Sequence, residues 1–124
     1  MRKVRGFTLI ELVIVIIVLG ILSAIVIPKY IDLKTSATNA AKAGMSGGIM
    51  GALAISIADL KTPPSLTQLL TYISGTNISI ASDNSGIQVV INANNYTVPT
   101  YTGATCTGAT TNASDIVQCV GFIP

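Results

Sequence analysis

Histidine and tryptophan are absent from the 124 residues, aromatics make up only 5% of them, and charged side chains only 10%. Without histidine, catalysis through Ser-His-Asp or Cys-His pairs and metal binding through imidazole are excluded. A soluble domain carries about 25% charged residues, so this chain is under-charged for its size. The scarcity is also uneven. Of twelve charged residues ten lie in residues 1–61, and beyond Lys61 only Asp83 and Asp115 remain. No Lys or Arg follows Lys61, which argues against nucleic acid as a partner of the C-terminal half, because phosphate binding needs several cations on one face. Cysteine is limited to Cys106 and Cys119, and two thiols without histidine make a poor zinc site. Neither a metal nor a cofactor is expected.

What is abundant is apolar: 50% of the residues are hydrophobic and the mean hydropathy is +0.68. Arg2, Lys3 and Arg5 precede Phe7–Ile27, 21 residues that hold one ionisable group, Glu11. That run is long enough to cross a bilayer as a helix. The basic cluster stays cytoplasmic, which places the C-terminal part outside the inner membrane. A secretory signal peptide would have a shorter apolar core and a small-residue cleavage site, and Ser23-Ala24-Ile25 matches that poorly. A plain anchor fits the hydropathy but leaves Glu11 without a role. A carboxylate in an apolar helix costs about 2.5–3.5 kcal/mol near the bilayer centre and less toward its edge, so it is by default functional and needs a partner.

The stretch Gly6-Phe7-Thr8-Leu9-Ile10-Glu11, after a short basic leader and before the apolar run, resembles the class III leader and N-terminal helix of the type IV pilins. The resemblance is close over residues 1–60 and general beyond. It implies cleavage after Gly6 by a prepilin peptidase, methylation of the new amine on Phe7, and an assembly role for Glu11 with Thr8. Paired with the Phe7 amine of a neighbouring subunit, Glu11 would make docking in register favourable and slipped docking costly. The bland alternative is a Glu11 solvated at the membrane surface.

Gly20 and Pro28 mark the weakest part of the helix, since proline costs about 3 kcal/mol in a helix interior and glycine about 1. An ordinary kink is one outcome; the pilin resemblance implies local melting on polymerisation. From Lys29 to Lys61 the pattern stays helical. Ala37, Ala40, Gly44, Gly47 or Gly48, and Gly51 form a ridge of small residues that lets another backbone approach. Ile49, Leu53 and Ile57 are expected to face a sheet. A break near Gly47-Gly48 is the alternative to one continuous helix. Unbroken from Phe7 to Leu60, it would span roughly 80 Å, more than a chain of this size can cover, so its first half would protrude toward a membrane or other copies.

Thr62-Pro63-Pro64 ends the helix, and Ser65 with Gln68 has capping-box spacing for a short helix through Leu69, Leu70 and Ile73. Alternation then predicts strands around Ile78 and Ile80, and around Ile87, Val89 and Ile91, joined by a turn at Ser82–Gly86. A second turn at Asn92–Asn95 leads to a strand over Tyr96–Tyr101, where Pro99 suggests an edge. A last strand is expected over Ile116–Val120. Outside the cytoplasm, Cys106 and Cys119 favour a disulfide; pilins similarly close a C-terminal loop with one. Residues 62–124 contain 11 Thr, 6 Ser and 6 Asn. Asn77, Asn95 and Asn112 open glycosylation triplets, but in so Thr- and Asn-rich a segment a neutral exposed surface is the simpler reading.

The expected fold is α+β, a long N-terminal helix packed on an antiparallel sheet of three or four strands. The expected organisation is a cleaved leader (1–6), a transmembrane or filament-core half (7–28), an amphipathic half (29–61) and a β-rich head (62–124) with the disulfide loop 106–119. By resemblance, the chain is a structural and major subunit of a bacterial type IV pilus, not an enzyme, first held in the inner membrane and then polymerised with copies of itself at the cell surface. Prepilin peptidase and an assembly platform with its motor are the implied partners, and motility, adhesion or DNA uptake the implied uses. The Ala/Gly ridge is similar to that of mannose-sensitive haemagglutinin-type pilins. The alternatives are a pseudopilin of a secretion or competence system, against which the isolated acids argue since a calcium site needs several clustered oxygens, and a single-pass anchored adhesin. Losing Arg2, Lys3 and Arg5 would turn the net charge from +2 to −1, four basic side chains against five acidic.

Overall fold

The computed structural model describes residues 5–124, so Arg2 and Lys3 of the expected leader lie outside the described residues. The chain divides into two compact units, residues 1–37 and 38–124. Among the described residues there are two helices and four strands: α1 (Leu9–Leu60), α2 (Leu66–Tyr72), β1 (Ile78–Ile80), β2 (Gly86–Ile91), β3 (Asn94–Tyr101) and β4 (Cys119–Val120).

In the first unit every described side chain is exposed. Fifteen of the residues from Leu9 to Ile27 are Leu, Ile or Val on an uninterrupted helix, and α1 passes through Pro28 without ending. Backbone bonding inside the helix leaves the local polar groups little to do. Ser23 Oγ donates back to the Leu19 carbonyl (2.7 Å) and Thr35 Oγ1 to that of Ile31 (3.2 Å).

The second unit holds the core. α1 is continuous through Gly47 and Gly48, because burial of one face against the sheet outweighs the low intrinsic helicity of four nearby glycines. That face is Ser46, Ile49, Ala52, Leu53 and Ser56. Ile57, expected in the same stripe, stays 37% exposed, whereas Ser46 and Ser56 are fully buried. α2 opens as expected: Gln68 N–H donates to Ser65 Oγ (3.2 Å), and Ser65 N–H donates to Gln68 Oε1 (2.9 Å). Its Leu66 and Leu69 are fully buried.

The sheet is antiparallel in the order β1-β2-β3-β4. Alternation on β2 turns Ile87, Val89 and Ile91 inward, where they meet Val98, Val117 and Val120. The turn between β2 and β3 is only Asn92-Ala93, both with positive φ (51° and 62°), as a two-residue hairpin with right-handed strand twist requires. Gly86 is needed where it stands, since a Cβ there would fall 2.0 Å from the Val98 carbonyl oxygen.

Two strand expectations are corrected. β3 is not an edge, for β4 pairs beyond it through Thr100↔Val120 and Tyr101↔Cys119. Pro99 is tolerated because its carbonyl accepts Gly121 N–H (2.8 Å) at the end of that short ladder, where the bond its missing N–H would make is the next one lost. The last strand is two residues, not the five from Ile116 to Val120. The segment before it caps α2 instead: Leu66 N–H donates to the Asp115 carbonyl (3.0 Å) and Thr67 N–H to that of Ala113 (3.1 Å), which satisfies orphan donors of the helix start. Cys106 and Cys119 form the disulfide. Within the loop it closes, buried Thr110 donates to the Asn84 carbonyl (2.8 Å) and shares a 2.6 Å bond with Thr100.

Candidate functional site

The residues singled out at the chain start form one local structure. Residues 5–8 precede the helix without regular structure. Thr8 is the residue before α1, and its side chain and that of Glu11 cap the helix reciprocally. Thr8 N–H and Thr8 Oγ1 both donate to Glu11 Oε2 at 2.9 Å, and Glu11 N–H approaches Thr8 Oγ1 at 3.4 Å. This is a capping box, which satisfies the free donors of the first turn from side chains three residues apart. A carboxylate in that first turn also complements the positive end of the helix dipole.

The cap sets where the helix begins, and hence leaves Gly6-Phe7 outside it. Phe7 is 86% exposed. Arg5, Gly6, Phe7 and Glu11 line a shallow recess of about 180 Å³, so the expected scissile bond and the expected assembly carboxylate share one surface. Glu11 Oε2 carries both Thr8 donors, and among the described residues no donor reaches Oε1. One carboxylate oxygen therefore serves the chain's own helix while the other faces outward. This bond within the chain goes beyond the assembly role expected of Thr8 and Glu11, although Thr-x-x-Glu ahead of an apolar run is its signature.

Gly20 and Pro28 lie within α1, away from this cluster. A Cβ at Gly20 would meet nothing within 4 Å, so intramolecular packing does not require the glycine. The same is true of Gly44, Gly47, Gly48 and Gly51. The face of α1 turned from the sheet, including Ala40, Gly44, Gly47, Gly51, Ala54 and Ala58, is exposed and carries no charge.

The two isolated acids of the second unit are both used locally. Asp83 Oδ1 accepts from Ser85 Oγ (2.7 Å) and Ser85 N–H (3.1 Å), and these donors hold its carboxyl below the usual range. Asp115 Oδ2 accepts from Thr111 N–H (2.8 Å) and Asn112 N–H (3.0 Å), with the same effect. Each carboxylate closes a turn.

The prokaryotic N-terminal methylation motif family matches residues 1–27. The chain is 37% identical over 87 residues to the type IV narrow pilus major component PilA5 of Thermus thermophilus, an alignment that covers 67% of this chain and 75% of that protein. No solved structure matches the chain significantly.

Proposed function

The chain belongs to the type IV pilins, and on that premise we propose that it is a major structural subunit of a type IV pilus, stored in the inner membrane and polymerised into a surface filament. The observation that carries this reading is the exposure of the whole apolar run: from Leu9 to Ile27 all residues but Glu11 and Ser23 are apolar, and none is buried by the chain itself. About 25 cal/mol per Å² of apolar surface favours covering such a helix, so it belongs in lipid or against its own copies. The subunit is a substrate rather than a catalyst. Prepilin peptidase cuts after Gly6, and the Phe7 amine is methylated. Because Thr8 keeps its backbone N–H after that cut, the capping box survives it. Glu11 then holds its own helix start through Oε2 and offers Oε1 to the Phe7 amine of a neighbour. The segment from Gly20 to Pro28, where the helix is intrinsically weakest, gives way as subunits leave the membrane. An assembly platform and its motor drive that extraction. The uses open to the fibre are motility, adhesion or DNA uptake.

The test is mass spectrometry of filaments sheared from cells. A chain beginning at methylated Phe7 and carrying the Cys106–Cys119 disulfide is expected. An intact Met1 found in membrane fractions alone overturns the reading. A pseudopilin built on a calcium site is disfavoured, since both Asp83 and Asp115 already accept hydrogen bonds within their own turns.

A further inference from the structure

Two features of the head have no use within the chain. The first is an apolar groove of about 340 Å³ between α1 and the α2–β1 segment, lined by Gly44, Gly48, Ile55, Tyr72, Ile73 and Ile78. Three of its wall residues, Gly44, Gly48 and Gly51, are glycines at which a Cβ would meet nothing within 4 Å. Each glycine lowers helix stability by about 1 kcal/mol relative to alanine, and the chain's own packing does not call for it. Ile55, on the same wall, is 62% exposed.

The second feature is Phe122, 65% exposed and two residues beyond β4. It is not a loose end. Gly121 N–H donates to the Pro99 carbonyl (2.8 Å) on one side of it, and Ile123 N–H donates to buried Ser46 Oγ (3.1 Å) on the other. Lys42 Nζ donates to the Pro124 carbonyl (2.7 Å) and sits 4.6 Å from the Tyr96 ring centroid. The backbone on both sides of the ring is thus anchored, which lowers the ordering cost of burying it against a partner.

We propose that Phe122 of one copy docks in the Gly48–Ile73 groove of the next, as a head-to-head contact additional to the packing of the apolar helices. The proposal rests on the pilus reading, and the occupant is a second copy of this chain. Sheet order places the two features on opposite edges: the groove borders β1, and Phe122 follows β4. Patches that differ and lie on opposite sides make a heterologous contact, which propagates into a filament instead of closing a dimer. Tyr72 of the groove wall is fixed by donating its hydroxyl to Asp59, and the segment that carries Phe122 is fixed by Lys42 Nζ at the Pro124 carbonyl.

The test places p-benzoylphenylalanine at position 122 in the full chain and irradiates cells before filaments are sheared. Pilin dimers and longer ladders are expected, with the cross-link mapped to the tryptic peptide from Ala43 to Lys61 or to the segment from Tyr72 to Ile78. Filaments that contain the labelled chain but yield no ladder, or cross-links only elsewhere, overturn the contact and leave the pilus reading standing. Absence of filaments from the unsubstituted chain removes the pilus reading and the contact with it. If the labelled chain is not incorporated, Gly48→Leu decides. It fills the groove from an open position, so total pilin stays constant while sheared pilin falls at least tenfold; parental amounts of sheared pilin overturn the proposal.

Discussion

Replacing Ser46 with alanine removes the anchor that ties the C-terminal segment to α1. Ser46 is fully buried, its Oγ accepts Ile123 N–H at 3.1 Å, and it donates to the Lys42 carbonyl at 3.0 Å. The Lys42 carbonyl sits in a helix and tolerates the loss. The Ile123 amide does not, because Ile123 is only 9% exposed and a buried donor left without an acceptor costs about 1–3 kcal/mol. Alanine's better helix propensity returns roughly 0.5 kcal/mol. The net loss is then about 0.5–2.5 kcal/mol, and about 4–8 °C of Tm follows each kcal/mol for a head of this size. A soluble chain beginning at Lys29, without the apolar run, is suited to thermal and urea unfolding followed by circular dichroism. Thr35→Ala is the control: its hydroxyl only back-bonds to the Ile31 carbonyl on an exposed face, and a change within about 0.5 kcal/mol is expected. Hydrogen exchange at the Ile123 amide gives the direct reading and should accelerate strongly in Ser46→Ala. Unchanged stability together with unchanged exchange at Ile123 would refute the anchoring argument.

Glu11→Gln should retain the cap to Thr8 yet lose the charge, and Glu11→Ala should lose both. Cleavage after Gly6 is expected in both variants and filaments in neither, read by immunoblot of cell and sheared fractions; normal filaments from Glu11→Gln would show that the charge has no assembly role. The carboxyls of Asp83 and Asp115 are held below their ordinary range by turn donors. Their stabilisation is therefore complete above the unfolded carboxylate pKa and is lost as pH falls through the depressed values. Thermal unfolding of the soluble head from pH 7 down to 2 should show a shallower acid decline in Asp83→Asn/Asp115→Asn, and an unchanged decline would contradict the assignment. Replacing Cys106 and Cys119 by serine opens a loop of sequence separation 13, which costs about 3 kcal/mol on the entropic estimate; urea midpoints of the two heads measure it.

Local rules made much of the fold legible. Ser65 and Gln68 cap α2 as their spacing predicts, and the alternating Ile87, Val89 and Ile91 all point inward. These features depend on neighbours within a few residues, whose geometry a short stretch of sequence specifies. The misreadings share one cause. Pro99 suggests an edge because proline lacks a donor, but its place in the sheet depends on how far β4 extends. Ile57 looked like core by spacing, although the sheet is met by Ser46, Ile49 and Leu53. Residues 116–118 read as strand, but their neighbours' carbonyls were claimed by the start of α2.

Hydropathy, charge order and helical period are properties of adjacent residues, and they suffice for the apolar run around one carboxylate, the Gly6-Phe7 junction and the long helix. Only the folded arrangement makes Ser46 and Ser56 core residues, and only there does the C-terminal segment carry Phe122 outward between two anchored neighbours. Both outcomes depend on which groups distant in the chain pack together and satisfy each other's hydrogen bonds. No spacing rule contains that information until the backbone has brought them together.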